Sequence, residues 1–233
     1  MPTLSCKIAS VEGITDTIYR VLLTPEYHVN FRAGQYVILK LKEYDHLPLS
    51  IASTPMEKDS IELHIGGSEF SSSIISVIEY IQNHKDIIID MPHGLAWLRD
   101  EKDYPLILIA GGTGFSYIRS ILFTALSEKA DRDISMYWGG REIQHLYELD
   151  KLNKLVHQYP KLKILPVLER PKDDFIGREG TVISAVMQDY SCLHRHAIYI
   201  AGPVSMVRSA RIHLCTERGA QRSLMFGDAL HCI

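Results

Sequence analysis

The stretch "LILIAGGTGFSYIRS", residues 106–120, restricts the fold more than any other part of the chain. Apolar residues 106–110 run straight into Gly111-Gly112-Thr113-Gly114, and a helical pattern follows. A continuous apolar run suits a strand covered on both faces, as in a parallel sheet flanked by helices. Glycines at its exit allow a tight turn, and they also let another molecule touch the backbone.

The rest of the sequence falls into two rhythms. Up to about residue 92, short β-branched runs predict strands at "LSCKIASV", "TIYRVLL", "YVILKLK", "IELHIG" and "DIIID". One helix is predicted among them at 71–82, where Ile74, Ile75, Val77, Ile78 and Ile81 recur at helical spacing. Many short strands with close turns predict an antiparallel barrel or sandwich. Beyond residue 100, strands at 104–110, 133–138, 162–168 and 196–201 alternate with helices near 115–129, 145–158, 180–189 and 204–218. Gly219 suits the stop of the last helix. This alternation predicts a parallel α/β sheet with helices on both faces. The chain therefore reads as two domains, 1–100 and 101–233, joined within "LRDEKDYP" at 98–105.

Composition narrows the function. A net charge of −3 gives no general attraction to nucleic acid or anionic lipid. No apolar stretch approaches the roughly 20 residues of a membrane helix. "MPTLSCKIASVEG" carries Lys7 and Glu12, so no signal peptide is expected. The cysteines at 6, 192, 215 and 232 lack C-x-x-C spacing and read as reduced thiols of a cytoplasmic protein. The histidines include "HRH" at 194–196 but no H-E-x-x-H, and no metal is expected.

In a parallel α/β sheet, ligands sit beyond the carboxyl ends of the strands. Gly111, Gly112, Thr113 and Gly114 lie at such an end and feed a helix beginning near Phe115, and these five are candidates to bind a dinucleotide, because free N–H groups and the helix dipole favour a pyrophosphate. The pattern is neither G-x-G-x-x-G nor a P-loop, so a ligand-free turn is the competing reading. A second turn, "YIAGPVSM", puts Gly202 and Pro203 in an equivalent place. After the next strand, "YWGGRE" offers Arg141 where an NAD-only site has an acid. An Arg accepts a 2′-phosphate through a forked pair of hydrogen bonds, so NADPH is expected to bind and NADH is not excluded. A solvated surface Arg beside Glu142 is the alternative.

A barrel followed by an α/β domain with G-G-T-G resembles the ferredoxin–NADP reductase superfamily. "LSCKIASVEGITDTIYRV", "FRAGQY", "IELHIG", "PHGLAWLRD", "YWGGREIQHLY", "YIAGP" and "FGDALHCI" narrow the resemblance, over essentially the whole chain, to the bacterial NAD(P)H:flavin oxidoreductases. These free-flavin reductases are related to the one that serves bacterial luciferase. The resemblance implies a flavin on the barrel and NAD(P)H on the α/β domain. The superfamily's Arg-x-Tyr-Ser flavin motif corresponds here to Leu47-Pro48-Leu49-Ser50. The Arg and the aromatic are gone, and Ser50 remains to reach flavin N5. Losing the Arg removes a charge-assisted phosphate contact of roughly 1.5–3 kcal/mol, about 10–100-fold in affinity. The expectation is a loosely bound flavin substrate, with weak discrimination among riboflavin, FMN and FAD. A Lys or backbone nest elsewhere would be the alternative grip on the phosphate.

Further positions follow from the same resemblance. The backbone of His64, Ile65 and Gly66 is expected at the ring edge. His93 is expected to pack the domain junction rather than act as an acid. Ala201 replaces a Cys and Tyr117 replaces a Pro of the wider superfamily. Phe226 is a candidate for the nicotinamide pocket, with core packing as its alternative, and Asp228 is a weaker one. The reaction implied is hydride transfer from nicotinamide to flavin, with luciferase, oxygen or a ferric chelate as acceptors of the reduced flavin. A reductase with permanently bound flavin and a protein partner is the second reading. It would want the phosphate Arg and cluster-spaced cysteines. A nucleotide-sensing module is the third, and would need neither the barrel nor Ser50.

Overall fold

The structure is a computed structural model that describes residues 3–41, 47–67, 72–99 and 104–232. Strands β1 (Thr3–Gly13), β2 (Ile18–Pro25), β3 (Tyr36–Lys40), β4 (Leu47–Ser50), β5 (Ile61–Gly66) and β6 (Asp86–His93) form one antiparallel sheet in the order β4-β3-β6-β1-β2-β5. An antiparallel bridge between Ile51 and Leu63 joins its two outer strands, so the sheet closes into a barrel. Every second residue turns inward, as in β3, where Val37 and Leu39 are fully buried. Helix α1 (Ser72–Asn83) packs Val77, Ile78 and Ile81 onto the same core, while Ile75 stays 40% exposed.

Strand β4 is not among the strands that the sequence predicts. Pro48 cannot donate to a ladder, which argues against a central strand. Here β4 lies at the sheet's margin with β3 as its ladder partner, and Pro48 opposes Ile38.

The second sheet is parallel, in the order β10-β9-β8-β7-β11-β12. Its strands are β7 (Leu106–Gly111), β8 (Ile134–Gly140), β9 (Leu162–Leu168), β10 (Arg178–Glu179), β11 (Ala197–Ala201) and β12 (Met225–Phe226). Helices α2 (Phe115–Glu128) and α3 (Leu149–Val156) cover one face, and α4 (Val182–Asp189) and α5 (Val204–Arg218) the other. Along β7, Leu106, Leu108 and Ala110 pack towards α2, while Ile107 and Ile109 pack towards α4 and α5. That two-sided burial is why the run reads as continuously apolar. Gly219 ends α5 with φ of +68°. The two-residue strands β10 and β12 are too short to show a period. The predicted helix at 145–158 is a short turn at Ile143–His145 followed by α3, because Tyr147 and Glu148 leave the helical path to face the barrel.

The antiparallel sheet ends at His93 and the parallel one begins at Leu106, and the expected boundary at 100/101 lies outside the described residues. The lobes are joined by polar contacts. The Tyr117 hydroxyl donates to the Ala96 carbonyl at 2.6 Å, and Ser120 Oγ to that of Ser53 at 2.7 Å. Among the described residues no helix is long and apolar enough to cross a membrane.

Candidate functional site

Strand order reverses beside β7: the chain runs outward through β8 and β9, then returns to place β11 on β7's other side. The carboxyl ends of β7 and β11 thus form a crevice of the kind that holds ligands in open α/β sheets. A cleft of about 920 Å³ opens there and extends to the barrel. Its α/β wall includes Gly111–Gly114, Gly139–Arg141 and Ala201–Pro203. Its barrel wall includes Leu47–Ser50 of β4, His64–Gly66 of β5 and Ile74 of α1.

The glycines divide into two kinds. A Cβ on Gly114 would run into the Ala201 carbonyl, so this glycine lets the two turns pack against each other. Gly112 has φ of +54° and open space where a Cβ would stand. It lines the cleft and leaves a backbone cradle free of side chain. Trp138 Nε1 donates to the Gly112 carbonyl at 3.1 Å and steadies that turn from behind.

Ser50 ends β4, opposite Tyr36, which in turn lies opposite His93 on β6. The three stand abreast on neighbouring strands. His93 stacks on Tyr36 with centroids 5.4 Å apart, and its Nε2 lies 3.4 Å from Asp90 Oδ2. Pro48, Leu49, Ser50, His64, Ile65, Gly66, Arg141, Gly202 and Pro203 all line the one cleft, as does Asp228. Two candidates lie elsewhere. The Phe115 side chain is fully buried and stacks on Trp138 with centroids 3.8 Å apart, because the first residue of α2 points into the core. Phe226 stacks on Tyr199 at 4.9 Å, opposite it in the β11–β12 ladder, with the Arg99 guanidinium 5.4 Å from its ring. The sequence reading passed over Glu169, Thr181, Ser205 and Met206, which also line the cleft. Glu169 directly follows β9, so the rule about strand ends that selected Arg141 would also have found it.

Behind the barrel wall lies a buried charged cluster. Arg20 meets Glu62 at 3.0 Å and Glu148 at 2.8 Å, and Arg119 meets each of the same two at 3.2 Å. Burial alone would raise the Glu62 carboxyl, but the hydrogen bond from His64 and the charges of Arg119, His64 and Arg20 outweigh it and hold it down at about 2. Glu148 is likewise lowered against its burial, chiefly by Arg119 and Lys151. Burial pushes His64 below the usual imidazole range despite the pull of Glu62. Glu62, His64 and Glu148 bring ligand atoms within 4.8 Å of one another, as a metal site would. Their carboxylates already carry two guanidiniums, which a cation would have to displace.

Comparisons with known proteins agree with this geometry. Residues 108–211 match the family described as "Oxidoreductase NAD-binding domain". The chain is 40% identical over 231 residues to an NAD(P)H-flavin reductase of Aliivibrio fischeri, covering 97% of this chain and 98% of that protein. It is 41% identical over 228 residues to a probable flavin reductase of Photobacterium leiognathi, covering 97% of each. The crystal structure of an Amycolatopsis cytochrome P450 reductase shares the fold, with a TM-score of 0.87 at 24% identity over 97% of this chain and 69% of that one.

Proposed function

The chain belongs to the NAD(P)H-flavin reductases, and from that premise we propose that its interlobe cleft reduces free flavins with NAD(P)H. What carries the reading is that one cleft joins the β4–β5 edge of the barrel to the carboxyl ends of β7 and β11. Two planar ring systems can meet there face to face. The reaction moves a hydride from nicotinamide C4 to flavin N5 and leaves NAD(P)⁺ and reduced flavin.

The protein's part is binding and orientation. Residues 1–100 take the flavin and 101–233 the dinucleotide. The Ser50 hydroxyl offers a hydrogen bond to N5. Leu49 covers the ring by apolar contact, Pro48 fixes the backbone before it, and the backbone of His64–Gly66 borders the ring's edge. The amides of Gly111–Gly114, at the positive end of α2, and those near Gly202 and Pro203 hold the pyrophosphate. The open space at Gly112 fits that task, since a Cβ would stand where the anion approaches. Arg141 takes the 2′-phosphate of NADPH, and NADH binds without that contact.

Leu47 and Leu49 give the flavin phosphate no charged partner. Riboflavin, FMN and FAD are therefore all substrates, held through the ring and released after reduction. A luciferase-type enzyme or a ferric chelate then accepts the electrons. The free thiols of Cys6, Cys192 and Cys215 suit the reducing cytoplasm.

Steady-state oxidation of NADH and NADPH against each of the three flavins, from flavin-free protein, tests this. Saturable turnover with all three is expected. A protein that stays yellow and uses only a retained FAD overturns it.

A further inference from the structure

Strand β5 is fastened to the α/β lobe through Gly66, His64 and Glu62. The Thr113 hydroxyl donates to the Gly66 carbonyl at 3.4 Å, and His64 Nδ1 lies 2.8 Å from the Tyr147 hydroxyl. His64 Nε2 lies 2.9 Å from Glu62 Oε1. A carboxylate only accepts, so Nε2 carries the imidazole proton, Nδ1 presents a lone pair, and Tyr147 donates to it.

Glu62 belongs to a closed ring in which Arg20, Glu62, Arg119 and Glu148 alternate. Each lobe gives one guanidinium and one carboxylate, and each charge touches a partner from both lobes. The Glu62, Arg119 and Glu148 side chains are 8% exposed or less. Behind Tyr147, the rings of Phe115 and Trp138 stand edge-on to it at 5.6 and 5.1 Å, and Trp138 holds the Gly112 carbonyl. Contacts therefore run without a break from the flavin-side strand to the dinucleotide turn.

We propose that His64 is a positioning residue: its bond to Tyr147, backed by the four-charge ring, fixes β5 against the Gly111–Gly114 turn and so sets the separation of the two reacting rings. This rests on the reading of the cleft given above. Two domains sharing a modest polar interface move relative to one another by default. Hydride transfer does not tolerate that freedom, because a misplacement of about 1 Å can cost roughly 100-fold in rate. Charges shielded from water keep their attraction at ordinary salt, where exposed pairs lose theirs. The ring supplies rigidity, and His64 passes it to the strand residues beside the flavin.

The test is Tyr147→Phe, which deletes the hydroxyl alone, assayed with free riboflavin and NAD(P)H deuterated at C4. The expected result is a kcat lower by about tenfold, a larger primary isotope effect, and both KM values within about twofold of the parent. Tyr190→Phe removes an equally short hydroxyl bond, to Ser135 at 2.8 Å, inside the α/β lobe, and should change neither kcat nor the isotope effect. His64→Asn keeps an acceptor towards Tyr147, and His64→Gln keeps a donor towards Glu62. The asparagine variant should retain the greater kcat, and this order decides the matter if Tyr147→Phe folds poorly. An unchanged isotope effect in Tyr147→Phe, or a glutamine variant faster than the asparagine one, overturns the proposal. Activity in the parent protein with free riboflavin stands or falls separately, so failure here is distinct from failure of the functional reading.

Discussion

Gly114 lies against the carbonyl oxygen of Ala201, so the turn that leaves β7 and the turn that leaves β11 are packed backbone to backbone. Gly112, two residues earlier, has open space where a Cβ would stand. These neighbouring glycines serve different ends, and alanine separates them. Gly114→Ala should lower stability by roughly 1–3 kcal/mol through overpacking. Gly112→Ala should cost only about 1 kcal/mol of left-handed strain, while its methyl raises the KM for NAD(P)H by roughly tenfold. Thermal unfolding and steady-state kinetics on both variants check the split.

Ser50→Ala should lower kcat for flavin reduction by roughly tenfold, the weight of one lost hydrogen bond. The KM for NAD(P)H should stay within about twofold, because the dinucleotide is held by the other lobe. Equal losses in both parameters would make Ser50 a structural residue of β4.

Leu47→Arg restores a cation at the head of β4, beside the cleft. FMN should then bind about 10–100-fold more tightly, and riboflavin, which has no phosphate, should not. Fluorescence titrations with both flavins measure the difference. A parallel gain for riboflavin would mean that the flavin's phosphate end does not lie near Leu47.

Stability should respond to pH through His64 and its neighbours. Burial lowers the folded-state pKa of His64 below its unfolded value of about 6.5. The unfolded chain therefore takes up the proton first as pH falls. This contribution is complete above about pH 6.5 and is lost as pH drops towards the folded value. Glu62, held at about 2 against an ordinary 4.5, adds stability that is complete above pH 4.5 and lost between there and 2. Glu62, Glu148, Tyr147 and Arg119 face the imidazole; the two carboxylates offset part of the cost of charging it, and burial outweighs them. Melting temperature should be flat from pH 7 to 8 and fall from 6.5 to 5.5. His64→Asn should show a smaller first fall, with the remainder left to His196, which burial also lowers.

The two-lobe plan was legible because its signals are local. Alternating burial marks β3, and two-sided burial makes β7 a continuous apolar run. Most of the cleft followed from one rule about strand ends, which reached Gly111–Gly114, Arg141 and Gly202. Sequence does not say which way the first residue of a helix points, and the Phe115 side chain turns into the core. The Arg20–Glu148 pair spans 128 positions, and nothing local to either residue announces it. Leu47–Ser50 was hidden by Pro48, whose place in a strand depends on that strand lying at a sheet's margin.

A crystal structure with riboflavin and NADP⁺ bound together tests the central claim most directly. The account predicts the isoalloxazine against the backbone of His64–Gly66, its N5 within hydrogen-bond reach of Ser50 Oγ, and the nicotinamide on its open face beside Gly111–Gly114. A flavin ring docked away from β4 and β5, or a nicotinamide that does not face it, would contradict the account.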